Sequence, residues 1–528
     1  MGFYLSPGVY SKEKDLSNVV TGIGTSSSGI VGYSAKGKAG AIQLITTASQ
    51  FLAEYGNPVP GEYFHYSALA YLENGNQLYC LRIHNGALYG GASIAKTGGT
   101  NYSFVAGRST AVYADDSNYP DALFYVTGKD QGVWNDKIGI RITNLNVTDY
   151  TFDIEVYYQD SDGAYQQVET WTVSRKEQTD GYGKQQYLET KINDYSAYIR
   201  VADNTDEADT EMPVGQATTL ALASGSDGSA ISDSQYVTGW GLFTNPDDVD
   251  VRLLIGAGLT SVPGQSAMKT VVEARKDCIA IFDMPYTQLT SSLAMVTWRQ
   301  DIQNFNTSYC ALYTAWVKIY DQWNDKIVEV PPSGYVASMM AYNDYVAEPW
   351  YAPAGFNRGT LNVLSLTNTF TQGDRDVLYP AQINALQTFK GKGIAIWGQK
   401  TLATKASALD RINVRRLLIV LEKTMAVSLL DYAFEPNNDI TRYRITAMLT
   451  SYLDRLSARG AFQTETGDRG YRVVCDTTNN TPAVIDANEL HVDIFVKPIK
   501  AAEFIQVQTI VTNTGASFSE LIAKGVLF

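Results

Sequence analysis

Five short apolar runs set the strongest limit on the fold. "GIVGYSA" (29–35), "QLYCLRI" (77–83), "RLLIGAG" (252–258), "CIAIFDMP" (278–285) and "GKGIAIWGQ" (391–399) contain strand-length cores with almost no polar alternation. A strand with one wet face alternates between apolar and polar residues. A strand covered on both faces does not, and burial on both faces is the mark of a parallel sheet wrapped by helices. Helical patterns fall between the runs. "TASQFLAEYG" closes on Gly56, a C-cap residue, and "YFHYSALAYLENG" places Tyr66, Leu69 and Leu72 near helical spacing. "YCALYTAWVKIY" and "LYPAQINALQTF" are read as helices too. Residues 29–100 and 235–400 therefore form one discontinuous α/β middle domain.

Other parts of the chain follow different periods. Within 101–234, Tyr150, Phe152, Ile154, Val156 and Tyr158 alternate along one face, and Asp162-Gly163 marks a hairpin turn. An acidic, then small and polar stretch follows, so this section is a β-rich insertion ending in a surface connection. In 401–528, Val414, Leu417, Leu418, Leu421 and Met425 share a helical face. Ile445, Met448, Leu449, Tyr452, Leu453 and Leu456 make a second stripe, which Gly460 ends. "YRVVCD", "HVDIFVKP" and "EFIQVQTIVTNT" are strand-like, which makes 401–528 a separate α+β unit. Residues 1–28 are short β-prone pieces broken by Pro and Gly. They form an arm that must lie on something else.

Little of this suggests chemistry. The net charge of −14 lacks the basic footprint of a nucleic-acid binder. The four cysteines are far apart and form no CxxC, and no apolar run approaches the roughly 20 residues of a membrane span. The three histidines stand in unrelated contexts, and no HExxH, GxSxG or Walker A pattern occurs. Gly256-Ala257-Gly258 follows a strand, but Ser261 occupies the position of a dinucleotide site's third glycine. The reading is a non-enzyme with no cofactor and no metal. Asp374, Arg375 and Asp376 are read as a salt-bridged loop.

Two features remain. Between Lys390 and Arg459, Lys and Arg outnumber Asp and Glu in an otherwise acidic chain. Arg415, Arg416, Lys423 and Arg444 are expected to face an acidic partner. "EPWYAPAGFNRG" (348–359) combines Pro349, Trp350, Pro353, Gly355 and Arg358. It reads as a rigid structural loop, because prolines stiffen the backbone and aromatics wedge between layers.

A dozen short motifs occur in one order: "SPGVY", "GVWNDKIGIRI", "LASGSDG", "IAIFDMP", "PPSGYVA", "EPWYAPAGFNRG", "LYPAQINAL", "GKGIAIWGQKTL", "INVRRLLIVLEK", "FEPNND", "VVCDTTNNTP" and "VDIFVKPIKAAEFI". In these the chain resembles the contractile tail sheath proteins of myovirus-type bacteriophages and related contractile injection systems. The resemblance is densest over 330–510 and poor in the insertion. It implies a multidomain α/β and α+β subunit: an α/β core, an outward-facing β-rich insertion, a C-terminal α+β inner domain and extended N- and C-terminal arms. Such a subunit polymerises helically around a tail tube and contracts to drive the tube through the host cell envelope for genome delivery.

The resemblance also implies partners. Neighbouring subunits would be joined through Pro7, Gly8, Val9 and Tyr10 at one end and Phe504, Ile505, Gln506 and Val507 at the other. The 401–528 unit would end in an exchanged strand and line the tube with its basic helices. Baseplate and tail terminator proteins would complete the set, with no direct nucleic-acid contact, no membrane insertion and no cofactor. The location implied is the virion tail, assembled in the host bacterial cytoplasm. The alternative is the sheath of a bacteriocin or other contractile injection system.

Overall fold

The computed structural model describes residues 24–160 and 162–506. Nine strands form the central sheet: β1 (Ser28–Tyr33), β2 (Ile42–Ile45), β3 (Leu78–Ile83), β4 (Leu253–Ile255), β5 (Ile279–Asp283), β6 (Cys310–Thr314), β7 (Thr360–Leu361), β8 (Ile383–Phe389) and β9 (Gly393–Ile396). Their order across the sheet is β7-β9-β8-β6-β5-β4-β1-β3-β2. The run from β3 to β8 is parallel throughout, and antiparallel strands close both ends. β4, β5 and β6 are buried at every residue, as non-alternating strands must be. Helices α1 (Tyr63–Leu72), α2 (Val262–Arg275) and α3 (Ser333–Val346) pack into the same core.

Two helices expected from sequence are strands. "YCALYTAWVKIY" contains β6 and the strand Val317–Asp321, and "LYPAQINALQTF" contains β8. Where such a run is buried, as in β6 and most of β8, it has no solvent face to display a period, so periodicity cannot separate a buried helix from a buried strand. Their β-branched and aromatic residues are what favour strands. Asp374 also differs from expectation. It closes a capping box with Thr371 on the helix Gln372–Leu378, and it accepts from Ser292 Oγ at 3.0 Å.

The insertion has two four-stranded sheets around a core of its own, where the Phe124 and Phe152 rings stack at 5.7 Å. Phe152, Ile154 and Val156 point into that core from the hairpin Thr151–Gln159 and Tyr165–Ser174. The strand Gly91–Ala95 already belongs to these sheets, ahead of residue 101. Arg82, fully buried at the end of β3, donates to the carbonyls of Ser34, Gly37 and Gln131 at 2.6, 2.6 and 2.8 Å. It thereby ties the central sheet to the insertion. At the neck, Gly228 has φ +80°, and a Cβ there would stand 2.2 Å from the Asn85 carbonyl oxygen. Only glycine permits this approach.

The C-terminal unit packs α4 (Ile412–Leu429) and α5 (Asp439–Ala458) against a two-stranded antiparallel sheet, β10 (Tyr471–Val474) with β11 (Asp493–Val496). Leu417, Leu421, Ile445, Leu449, Leu453 and Phe462 fill its core. Gly460 takes a left-handed φ of +77° just after α5.

Candidate functional site

The glycine loop after β4 is the natural place for a cofactor in a parallel sheet. Here its amides are already used. Gly258 N donates to Asp283 Oδ2 at 2.9 Å, and Ala257 N donates to Ser333 Oγ at 2.9 Å. Asp283 also accepts from Ser333 N and Oγ at 2.8 and 2.7 Å. Burial pushes the Asp283 carboxyl up to about 6 despite these three donors. The cluster fastens the β4 loop, β5 and the start of α3 together. Ser261 caps α2 through its hydroxyl, so the residue that breaks the dinucleotide pattern has a structural task. His65 is buried, its Nε2 is 3.2 Å from the Tyr55 carbonyl, and burial lowers it to about 4.

The basic helix faces inward. Arg415 and Arg416 are buried on α4. Arg415 donates to Ser308 Oγ at 2.5 Å and lies over the Tyr309 ring at 4.2 Å. Arg416 meets Asp344 of α3 at 2.5 Å, each side chain only 4% exposed. Lys423 reaches Asp277 at 3.1 Å and Asp250 at 3.8 Å. Burial opposes the charge on Asp277, but Arg275 and Lys423 outweigh it and hold the carboxyl below its usual value. The expectation that Arg415, Arg416 and Lys423 face a partner is therefore corrected: these cations seat α4 on the α/β unit. A helix carrying both an apolar stripe and cations can bury both when carboxylates wait on the opposing surface. Arg444 alone of the four is exposed, on α5.

The loop 348–359 spans the same seam. Trp350 inserts into the C-terminal core beside Leu417 and Leu449. Its carbonyl accepts from Asn413 Nδ2 at 3.2 Å, and Glu348 pairs with Arg459. Pro349 and Pro353 are buried. At the other end, Gly355 (φ +81°) donates to the Ile396 carbonyl at 2.9 Å, and Ile396 N donates to the Gly359 carbonyl at 2.8 Å. Phe356 joins Phe389 and Trp397 at 4.9 and 5.4 Å. Arg358 stacks over Tyr351 at 4.9 Å. One loop thus holds an aromatic in each unit.

Pro7, Gly8, Val9, Tyr10 and Val507 lie outside the described residues. Phe504, Ile505 and Gln506 follow a stretch without regular structure, and all three are exposed. Just before them, Glu503 accepts from Arg411 Nε and Nη2 at 2.6 and 2.9 Å. Sequence reasoning missed Asp344, Arg411 and Glu503. Asp344 did leave a signal, being a carboxylate within an otherwise uncharged helix.

Residues 234–402 match the family model of the phage tail sheath protein central domain, and residues 404–512 match that of the phage tail sheath C-terminal domain. Together the matches cover more than half of the chain. The chain belongs to the phage tail sheath family. It is 33% identical over 323 residues to the tail sheath protein of Vibrio phage KVP40, covering 56% of this chain and 47% of that one. It is 35% identical over 332 residues to the tail sheath protein of Enterobacteria phage T4, covering 58% and 49%. The chain thus spans about half the length of these curated relatives.

Solved sheath structures share the fold over nearly the whole chain. A sheath tail protein from Listeria innocua aligns with a TM-score of 0.58 at 13% identity, covering 90% of this chain and 95% of that one. The contracted sheath complex of the extracellular contractile injection system PVC aligns with a TM-score of 0.54 at 18% identity, covering 97% and 98%. No helix among the described residues is long and apolar enough to cross a membrane.

Proposed function

We propose that this chain is the structural subunit of a contractile tail sheath, which polymerises helically around a tail tube and contracts to drive it through the host envelope for genome delivery. The observation that carries the reading is the unfinished sheet β10–β11. Two strands make a marginal sheet in water, and Phe495 of β11 is exposed. No third strand pairs with either among the described residues. A strand from a neighbouring copy completes such a sheet through main-chain hydrogen bonds and asks little of sequence. The terminal segments around Pro7–Tyr10 and Phe504–Val507 are the proposed donors. Because donor and acceptor are different surfaces, the contact is heterologous and propagates as a helix.

The tube contact is reassigned within the C-terminal unit. With the α4 cations engaged internally, the solvent face of α5, carrying Ile440, Tyr443 and Arg444, is the proposed surface. Baseplate and tail terminator proteins would bind the ends of the polymer. The proposed location is the virion tail, assembled in the host cytoplasm. No catalytic role is proposed. The sheath of an injection system would use the same subunit physics, and the reading leans to the phage setting because the curated relatives at 33–35% identity are phage tail sheath proteins.

Negative-stain electron microscopy of the concentrated chain, alone and with its tube protein, tests the reading. Tubes or stacked rings are expected, with monomers only after deletion of residues 1–20. Arg444→Glu should weaken assembly on tubes and spare self-assembly. Monomers under both conditions would defeat the proposal.

A further inference from the structure

Both ends of the described chain touch one short stretch of one helix. At the N-terminal end, Arg416 Nη2 donates to the Thr25 carbonyl at 3.5 Å while also meeting Asp344. The Tyr71 hydroxyl donates to the Ser26 carbonyl, and the Ser27 carbonyl accepts from Arg252 N and Leu253 N at 2.8 and 3.1 Å. Residues 25–27 are thus fastened just before β1. At the C-terminal end, the Glu503 carboxylate takes the bidentate fork of Arg411 and a third bond from Gln399 Nε2 at 3.0 Å. Arg411 is the N-cap residue of α4, and Arg416 sits in its second turn. Five residues of α-helix rise only about 7.5 Å.

The start of α4 is itself fixed to the end of the central sheet. Ile412 N donates to the Gln399 carbonyl at 2.8 Å, and Thr401 N donates to the Asp410 carbonyl at 3.0 Å. The side chains of Arg411 and Glu503 are only partly exposed, at 25% and 18%. A bidentate guanidinium–carboxylate pair in such a place fixes direction as well as distance.

We infer that the first two turns of α4 are a common anchor for the N- and C-terminal segments, with Arg411 and Arg416 as its positioning residues. A displacement entering through one segment reaches the other across less than two helical turns. It does not have to pass through the insertion. If the terminal segments carry the neighbour contacts, as the sheath reading holds, each subunit passes movement from one neighbour to the next through this junction while its cores keep their packing. That consequence rests on the proposed function. The anchor itself does not.

Hydrogen exchange on the full-length monomer tests it, using wild type, Glu503→Gln, Arg411→Glu and the swapped pair R411E/E503R. Loss of the pair should speed exchange about fivefold over residues 500–506. It should also speed exchange in the first turn of α4 and in residues 24–28, and the swapped pair should restore all three regions. Acceleration confined to 500–506, with 24–28 unchanged in every variant, would overturn the common anchor. So would a swapped pair that melts like wild type yet restores none of the three regions. A wild-type chain that never polymerises would defeat the sheath reading and leave the exchange result standing.

Discussion

Replacing Arg416 with Met tests how the C-terminal unit is seated. Arg416 and Asp344 are each 4% exposed and 2.5 Å apart. Burying such a pair costs desolvation that its attraction roughly repays, so the intact pair adds little net stability. Burial in fact pushes the Asp344 carboxyl up in spite of Arg416. Removing one partner is different, because the other is stranded. R416M should cost about 3–5 kcal/mol at neutral pH, and D344N a similar amount. The double variant R416M/D344N strands no charge and should recover most of the loss, a coupling of about 3 kcal/mol. The exposed pair Lys318–Glu329, with side chains 37% and 33% exposed, is the control. K318M should cost less than about 1 kcal/mol. The assay is urea unfolding of each variant across a pH series. In R416M the penalised species is the charged carboxylate, so the deficit should shrink as pH falls and Asp344 takes up a proton. Single variants within about 1 kcal/mol of wild type, or a double variant as unstable as the two losses combined, would refute the reasoning.

Trp350→Ala removes the aromatic that the α/β side lends to the C-terminal core. It should cost about 3–5 kcal/mol, read by calorimetry as a lowered transition for that unit with the insertion's transition unmoved. Asp283 should leave a pH signature. Its carboxyl is held at about 6 when folded and titrates near 3.9 when unfolded. The folded state therefore binds the proton more tightly, and stability falls as pH rises from about 4 to about 6, by about 3 kcal/mol. The difference between wild type and D283N should carry that slope, and a flat difference curve would exclude it. Gly228→Ala should loosen the neck of the insertion, seen as faster proteolysis near residues 85–90 and 224–230 with the central sheet intact.

Much of the α/β core was legible because its strands carry their own evidence. A buried strand such as Ile279–Asp283 must be apolar on both faces, and that shows in any window. The amphipathic stripes of α4 and α5 were equally plain, since a half-buried helix displays its period. β6 and β8 were misread because β6 and most of β8 are buried and display no period. The candidate site was less visible. Trp350, Pro353 and Gly355 announced a rigid loop, but not that Trp350 belongs to one core and Phe356 to an aromatic cluster on the other side of the seam.

Charge was where sequence reasoning failed, and the reason is general. A cluster of Arg and Lys signals a surface only if no carboxylates oppose it, and the opposing groups come from distant segments. Asp344 stands 72 residues from Arg416, and Asp277 stands 146 from Lys423. Composition and local period determined many of the elements and the separate character of the insertion. Tertiary structure alone decided which faces of those elements meet. It turned a basic helix inward, joined Glu503 to Arg411 and Thr25 to Arg416, and left β10–β11 as a pair among the described residues. Pairing between segments far apart in sequence depends on how the chain returns to itself, and no local window contains that information.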